Sequence, residues 1–153
     1  MTRTITGLFT ALMTAAVMTW TPVVSAESVD FGDYQVHYSI FSSSFLRPEI
    51  AQQYNLTRSQ SIGVVNIAVM KEAEDGTLKS VGAQVEGQVY NDIQQSSFMG
   101  FRRVQEGEDM YYLAQFQYAN GELMTFQITA RPQGTDLELP IRVTQTLFND
   151  AQN

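Results

Sequence analysis

The chain has 153 residues, with 16 Asp and Glu against 9 Lys and Arg, one histidine and no cysteine. Without cysteine, disulfide staples and thiolate chemistry are excluded, and a net charge of −7 with few clustered cations argues against nucleic acid or anionic lipid as a partner. With one histidine as well, the usual zinc and copper ligand sets are missing, so neither a metal nor a cofactor is expected.

The amino terminus reads as an export signal. Met1-Thr2-Arg3 carries one positive charge, Ile5 to Trp20 is uncharged and largely apolar, and Pro22-Val23-Val24-Ser25-Ala26 ends in small residues. A charged, an apolar and a small-residue region in that order form a secretory signal peptide. Cleavage is expected after Ala26, leaving one domain over residues 27–153. An uncleaved anchor is the alternative, because the apolar run is just long enough to span a bilayer. The threonines and the Val-Ser-Ala ending favour cleavage. Removing residues 1–26 takes away only Arg3 among the charged residues, leaving 8 Lys and Arg against 16 Asp and Glu, a net charge of −8. No later segment is apolar enough to insert in a membrane.

The mature chain alternates strand-like runs with turn signals. Val29–Phe41 has Tyr34, Val36, Tyr38 and Ile40 alternating with Gln35, His37 and Ser39, and Gly32 is read as a bulge. Ser42–Arg58 breaks the pattern. Pro48 suits a first helical position, Glu49 suits the positive end of a helix dipole, and Leu46, Ile50 and Tyr54 recur every four residues. A short helix over Pro48–Tyr54 is expected, stable only if it packs on a sheet. Ile62–Met70 is the most strand-like run and is apolar on both faces, so both should be covered. Asn66 sits in its middle. The plain expectation is a side chain bonded to a neighbouring loop; the functional alternative is a polar anchor in a ligand site.

Leu78–Tyr90, Phe98–Gln105 and Leu137–Phe148 are further strands. Between the last two stands Met110–Arg131, whose two alternating arms flank Asn120-Gly121, a strong hairpin signal. A two-residue loop would place Phe116 and Phe126 on opposite faces. The expected hairpin therefore has an odd loop, with Gly121 left-handed beside a bulge. About seven strands, spaced roughly eight to twelve residues apart, predict an all-β fold: an immunoglobulin-like antiparallel β-sandwich with one short helix inserted after the first strand. A partly open β-barrel is the alternative.

Catalytic chemistry is poorly supported. His37 lies on the polar register of the first strand, and no Gly-x-Ser-x-Gly elbow accompanies it. Glu74-Asp75 and Glu106, Glu108 and Asp109 are turn residues without calcium-loop spacing. Arg102-Arg103 beside Phe98, Met99 and Phe101 is the one compact basic and aromatic group, read as an ion pair with a neighbouring strand or as an anchor for an acidic partner. The candidate binding residues are Phe45, Leu46, Tyr54, Asn66, His37, Phe101, Arg102 and Arg103.

Several stretches together carry a family resemblance. They are Val36-His37-Tyr38 through Phe41, Phe45-Leu46-x-Pro48-Glu49-Ile50-Ala51 with Tyr54, Arg58-Ser59, Gly63-Val64-Val65-Asn66-Ile67, Tyr111-Tyr112-Leu113-Ala114-x-Phe116, and Arg131-Pro132. In this order they resemble the small exported gammaproteobacterial proteins grouped as domain of unknown function 4426. The resemblance implies a periplasmic address and brings no activity, ligand or catalytic residue with it. The expected function is a non-enzymatic module that binds a periplasmic protein or peptide, through an open sheet edge or the Phe45–Tyr54 surface. A small-molecule or glycan-binding module with a pocket near Asn66, Tyr54 and His37 is the alternative, and an enzyme comes third.

Overall fold

In a computed structural model that describes residues 26–149, the chain opens with β1 (Glu27–Phe31) and turns at once into β2 (Tyr34–Ser42). The turn is made by Gly32-Asp33, with Phe31 facing Tyr34 and Gly32 at φ +65°. A left-handed first turn residue suits a two-residue hairpin and suits glycine, so Gly32 reverses the chain instead of bulging one strand. The expected signal peptide falls on residues 1–26, which, apart from Ala26, lie outside the described residues.

After β2 come a short 3-10 turn (Ser43–Phe45) and the helix α1 (Pro48–Gln53), with Tyr54 closing it. The remaining strands are β3 (Ile62–Glu72), β4 (Leu78–Ser80), β5 (Ala83–Tyr90), β6 (Ser96–Met99), β7 (Arg102–Glu106), β8 (Asp109–Gln117), β9 (Glu122–Pro132) and β10 (Leu139–Leu147). They form two antiparallel sheets. Sheet A runs β1-β2-β3-β8-β7 with β4 also on β3, and sheet B runs β10-β9-β5-β6. The architecture is the expected all-β sandwich, with the two sheets separate and no barrel closed. No helix among the described residues is long and apolar enough to cross a membrane.

Three of the seven expected strands each divide in two, giving ten. Besides the turn at Gly32, the breaks are places where the chain changes sheet. Val81 still donates its N–H to Val69 in sheet A, while the next residue, Gly82, accepts from Gln133 at the end of sheet B. Gly100-Phe101 makes the return journey between β6 and β7, with Phe101 half-buried against the core. Alternation continues through such crossings, so the hydrophobic pattern alone reads them as continuous strands.

The expected hairpin at Asn120-Gly121 does not form. β8 pairs with β3 and β7, whereas β9 pairs with β5 and β10. Ala119 accepts from the Glu122 N–H at 3.0 Å, and Gly121 alone has a positive φ, +76°. One left-handed residue at the third position makes a type II-like turn, whose twist does not match a tight hairpin. The chain passes here from one sheet to the other, pinned by the Gly121 N–H to the Leu147 carbonyl at 2.7 Å.

The core lies between the sheets. Val36, Val65, Ile67, Val69 and Phe126 are fully buried in it, joined by Phe116, Ile128, Leu139 and Ile141. At about 25 cal/mol per Å² of apolar surface, each such side chain contributes roughly 1.5–3 kcal/mol. In a chain without disulfides, this burial is the principal source of stability.

Candidate functional site

β3 has two apolar faces, and both are used. Val65, Ile67 and Val69 point into the sandwich. Val64, Asn66, Ala68 and Met70 point outward, in register with Phe41, Ser39, His37 and Gln35 of β2. Val64, Leu113 of β8 and Ala51 of α1 are buried yet stand outside the inter-sheet core, so part of the outer face of sheet A has its own cover. The segment after α1 is tied down over it. The Gln115 side chain accepts from the Thr57 N–H at 3.1 Å and donates to its carbonyl at 2.8 Å. Arg102 on the edge strand β7 donates to the carbonyls of Tyr54 and Asn55.

Beyond this cover the outer face is open and concave. A hollow of about 350 Å³ is lined by His37, Tyr38 and Ser39 of β2, Asn66, Ala68 and Met70 of β3, Leu78 and Ser80 of β4, Asp109, Met110 and Tyr111 of β8, and Ala26. A second hollow of about 260 Å³ is lined by Tyr54, Asn66, Val104, Glu106, Tyr111 and Leu113. Asn66 and Tyr111 belong to both. Neither hollow is lined by a lysine or arginine.

Asn66 is the chemical centre of this face. Its Oδ1 is shut off from solvent and has no hydrogen-bond partner among the described residues. The expected bond to a neighbouring loop is not made, because the cross-strand neighbours are Ser39 and Leu113 and the loop after α1 is engaged by Gln115 and Arg102 instead. A buried acceptor left unpaired costs about 1–3 kcal/mol. Burial raises the Tyr111 hydroxyl pKa, assisted by the carboxylates of Asp109 and Glu106, so the phenol stays protonated at neutral pH and available as a donor. The His37 ring Nε2 lies 3.1 Å from Gln35 Oε1, two residues earlier. Its partner is thus an amide and not a nucleophile or a carboxylate. No group of three His, Cys, Asp or Glu residues capable of holding a metal occurs among the described residues.

The eight candidate residues fall into three places. His37, Asn66 and Tyr54 come together at the two hollows. Phe45, exposed at the end of the 3-10 turn, and Leu46, half-buried just after it, line neither hollow. Phe101 packs on the core, Arg103 reaches only Gln105 at 3.3 Å, and Arg102 secures the end of α1. Arg102 therefore has an internal partner, but a pair of backbone carbonyls in place of the expected ion pair. Sequence reasoning missed Tyr111, Met70 and Asp109. The signal present was Tyr111-x-Leu113, two apolar residues on the register of β8 that alternation assigns to solvent.

The sequence matches the family described as Domain of unknown function (DUF4426) over residues 28–150. No curated protein matches. Among solved structures, a DUF4426 family protein (PA0388) from Pseudomonas aeruginosa PAO1 is similar at 32% identity and a TM-score of 0.71, over 82% of this chain and 97% of that one. The GAE domain of GGA2p from Saccharomyces cerevisiae aligns at 8% identity and a TM-score of 0.33, over 80% and 96% of the two chains, too weakly to carry an argument. With residues 28–150 matched by the family and the fold shared with a solved member, the chain belongs to the DUF4426 family.

Proposed function

We propose that this protein is a non-enzymatic binding module of the periplasm, exported by residues 1–26, that holds a small ligand on the outer face of sheet A. The observation that carries this reading is the placement of Asn66. It is a partly exposed polar residue in mid-strand that lines both adjoining hollows. A concave, largely apolar site with a few convergent polar groups is the usual form of a small-molecule pocket, and a volume near 350 Å³ is in the usual range. Asn66, Tyr111 and Ser39 supply the polar groups, and Met70, Leu78 and Ala68 supply apolar wall. This favours the small-ligand alternative over a protein or peptide partner, for which the open edges β1, β7, β6 and β10 are the support.

Native mass spectrometry of protein purified from periplasm, followed by titration with metabolite fractions, tests the proposal. A bound small molecule whose retention is lost in Asn66→Leu is the expected result. If no small molecule binds, and a protein is captured equally by wild type and Asn66→Leu, the reading fails in favour of a partner.

A further inference from the structure

The outer face of sheet B carries a separate hollow of about 360 Å³, lined by Glu86, Gly87, Gln88, Phe98, Met99, Gln127 and Thr129. Phe98 is 84% exposed, the most exposed of the large hydrophobic residues described. It stands opposite Gln88, Gln88 opposite Gln127, and Gln127 opposite Arg142. One cross-strand row therefore runs from an aromatic ring through two amides to a guanidinium, at about 4.8 Å per strand. Thr129 lies in the row beside it, facing Glu86.

The polar groups here match hydroxyls better than charges. Glu86 is already paired with Arg131 at 2.7 Å, and Arg131 also with Glu138 at 2.8 Å, so the Arg131 guanidinium is engaged by two carboxylates. The Gln88 carbonyl accepts from the Tyr90 hydroxyl at 2.6 Å, which leaves the Gln88 amino group free to donate. Gln127 and Thr129 both donate and accept. An exposed aromatic face beside amides and hydroxyls is complementary to a sugar ring, which offers C–H groups on its face and hydroxyls around its rim. A protein partner would call instead for a contiguous apolar patch of several hundred Å², and apart from Phe98 and Met99 this hollow is lined by polar side chains and Gly87.

We propose that this face binds a glycan, with Phe98 as the stacking platform and Gln88, Gln127 and Thr129 as the hydroxyl-recognising groups. The site is independent of the hollow on sheet A. The test is titration of the protein with cellotriose, chitotriose and trigalacturonate, followed by the backbone amide shifts of Gln88, Phe98 and Gln127 in NMR spectra. At least one trisaccharide is expected to move these amides at millimolar concentration. Phe98→Ala, at an exposed position the core does not need, should weaken that binding about tenfold. Asn66→Leu should leave it unchanged. The proposal is overturned if none of the sugars moves these amides, or if Phe98→Ala binds the sugar as tightly as wild type. It is equally overturned if Phe98→Ala converts a dimer to a monomer in sedimentation, which would make the face a contact between copies.

Discussion

The rings of Phe116 and Phe126 lie 4.8 Å apart at 72°, edge to face, although the residues stand in different sheets. Both belong to the inter-sheet core, and Phe126 is completely buried. Their contact joins the layers at the level where the chain crosses over. Phe126→Ala should cost about 3–5 kcal/mol. A double-mutant cycle with Phe116→Leu should return a coupling of about 0.5–1.5 kcal/mol, read from denaturant midpoints at unchanged slope.

Gly63 makes room for the same ring. A Cβ built at Gly63 would fall far inside van der Waals contact with Phe116, its cross-strand neighbour. Gly63→Val should therefore destabilise by about 1–3 kcal/mol or more. Adding Phe116→Leu should recover part of that loss, because the obstruction is the ring. If the double mutant is no better than Gly63→Val alone, ring contact is not the cause.

Asn66 separates stability from function. Replacing it with leucine, of similar size, removes an unpaired buried acceptor and extends the apolar wall. The substitution should raise stability by about 1–3 kcal/mol while abolishing ligand retention. A stabilised variant that keeps its ligand would show that Asn66 does not serve the hollow on sheet A.

Arg102 acts locally. Its guanidinium donates to the Tyr54 and Asn55 carbonyls just past the end of α1, where a cation is favoured. Arg102→Ala should leave the global midpoint within about 1 kcal/mol, since the contact is exposed. Hydrogen exchange should nevertheless accelerate at the Ala51, Tyr54 and Leu56 amides, which the helix and its closing turn protect. Unchanged exchange there would mean that Gln115 alone suffices.

Tyr38 gives a pH signature. Burial first, then its hydrogen bond to Glu27 and the Glu27 charge, push its hydroxyl from 10.0 up to about 12. The folded state thus holds the proton more tightly than the unfolded chain, and this contribution is complete below pH 10. It should be lost as pH rises from 10 to about 12. Tyr38→Phe should flatten the stability profile in that window, as measured by chemical denaturation at successive pH values.

The layers were legible because their cause is local. Val65, Ile67 and Val69 alternate against Asn66 and Ala68, and that alternation reports a face wherever the strand lies. Which sheet a strand joins depends on pairing with distant residues, and alternation carries nothing about it. Met110–Arg131 shows the difference: both arms do bury the same core, as their pattern implies, but from opposite sides of it. Likewise Asn66, His37 and Tyr54 could be grouped from sequence because β2, β3 and the helix above them are consecutive. Tyr111 and Asp109 arrive from a strand more than forty residues beyond Asn66, and their charge and apolar character suit an ordinary exposed turn and strand start.

The crossings at Gly82, Gly100 and Asn120-Gly121 interleave the two sheets along the chain. Sheet A is incomplete until β8 has been made, and sheet B until β10, which ends at Leu147. No amino-terminal portion of the chain contains a finished layer before β8 ends at Gln117, and the second layer is not finished until Leu147, so most of the chain must emerge before either sheet is complete. Folding must wait for pairings of long sequence separation, which makes it slow. For the export proposed above, that delay would keep the chain threadable until passage, with topology alone holding back premature folding.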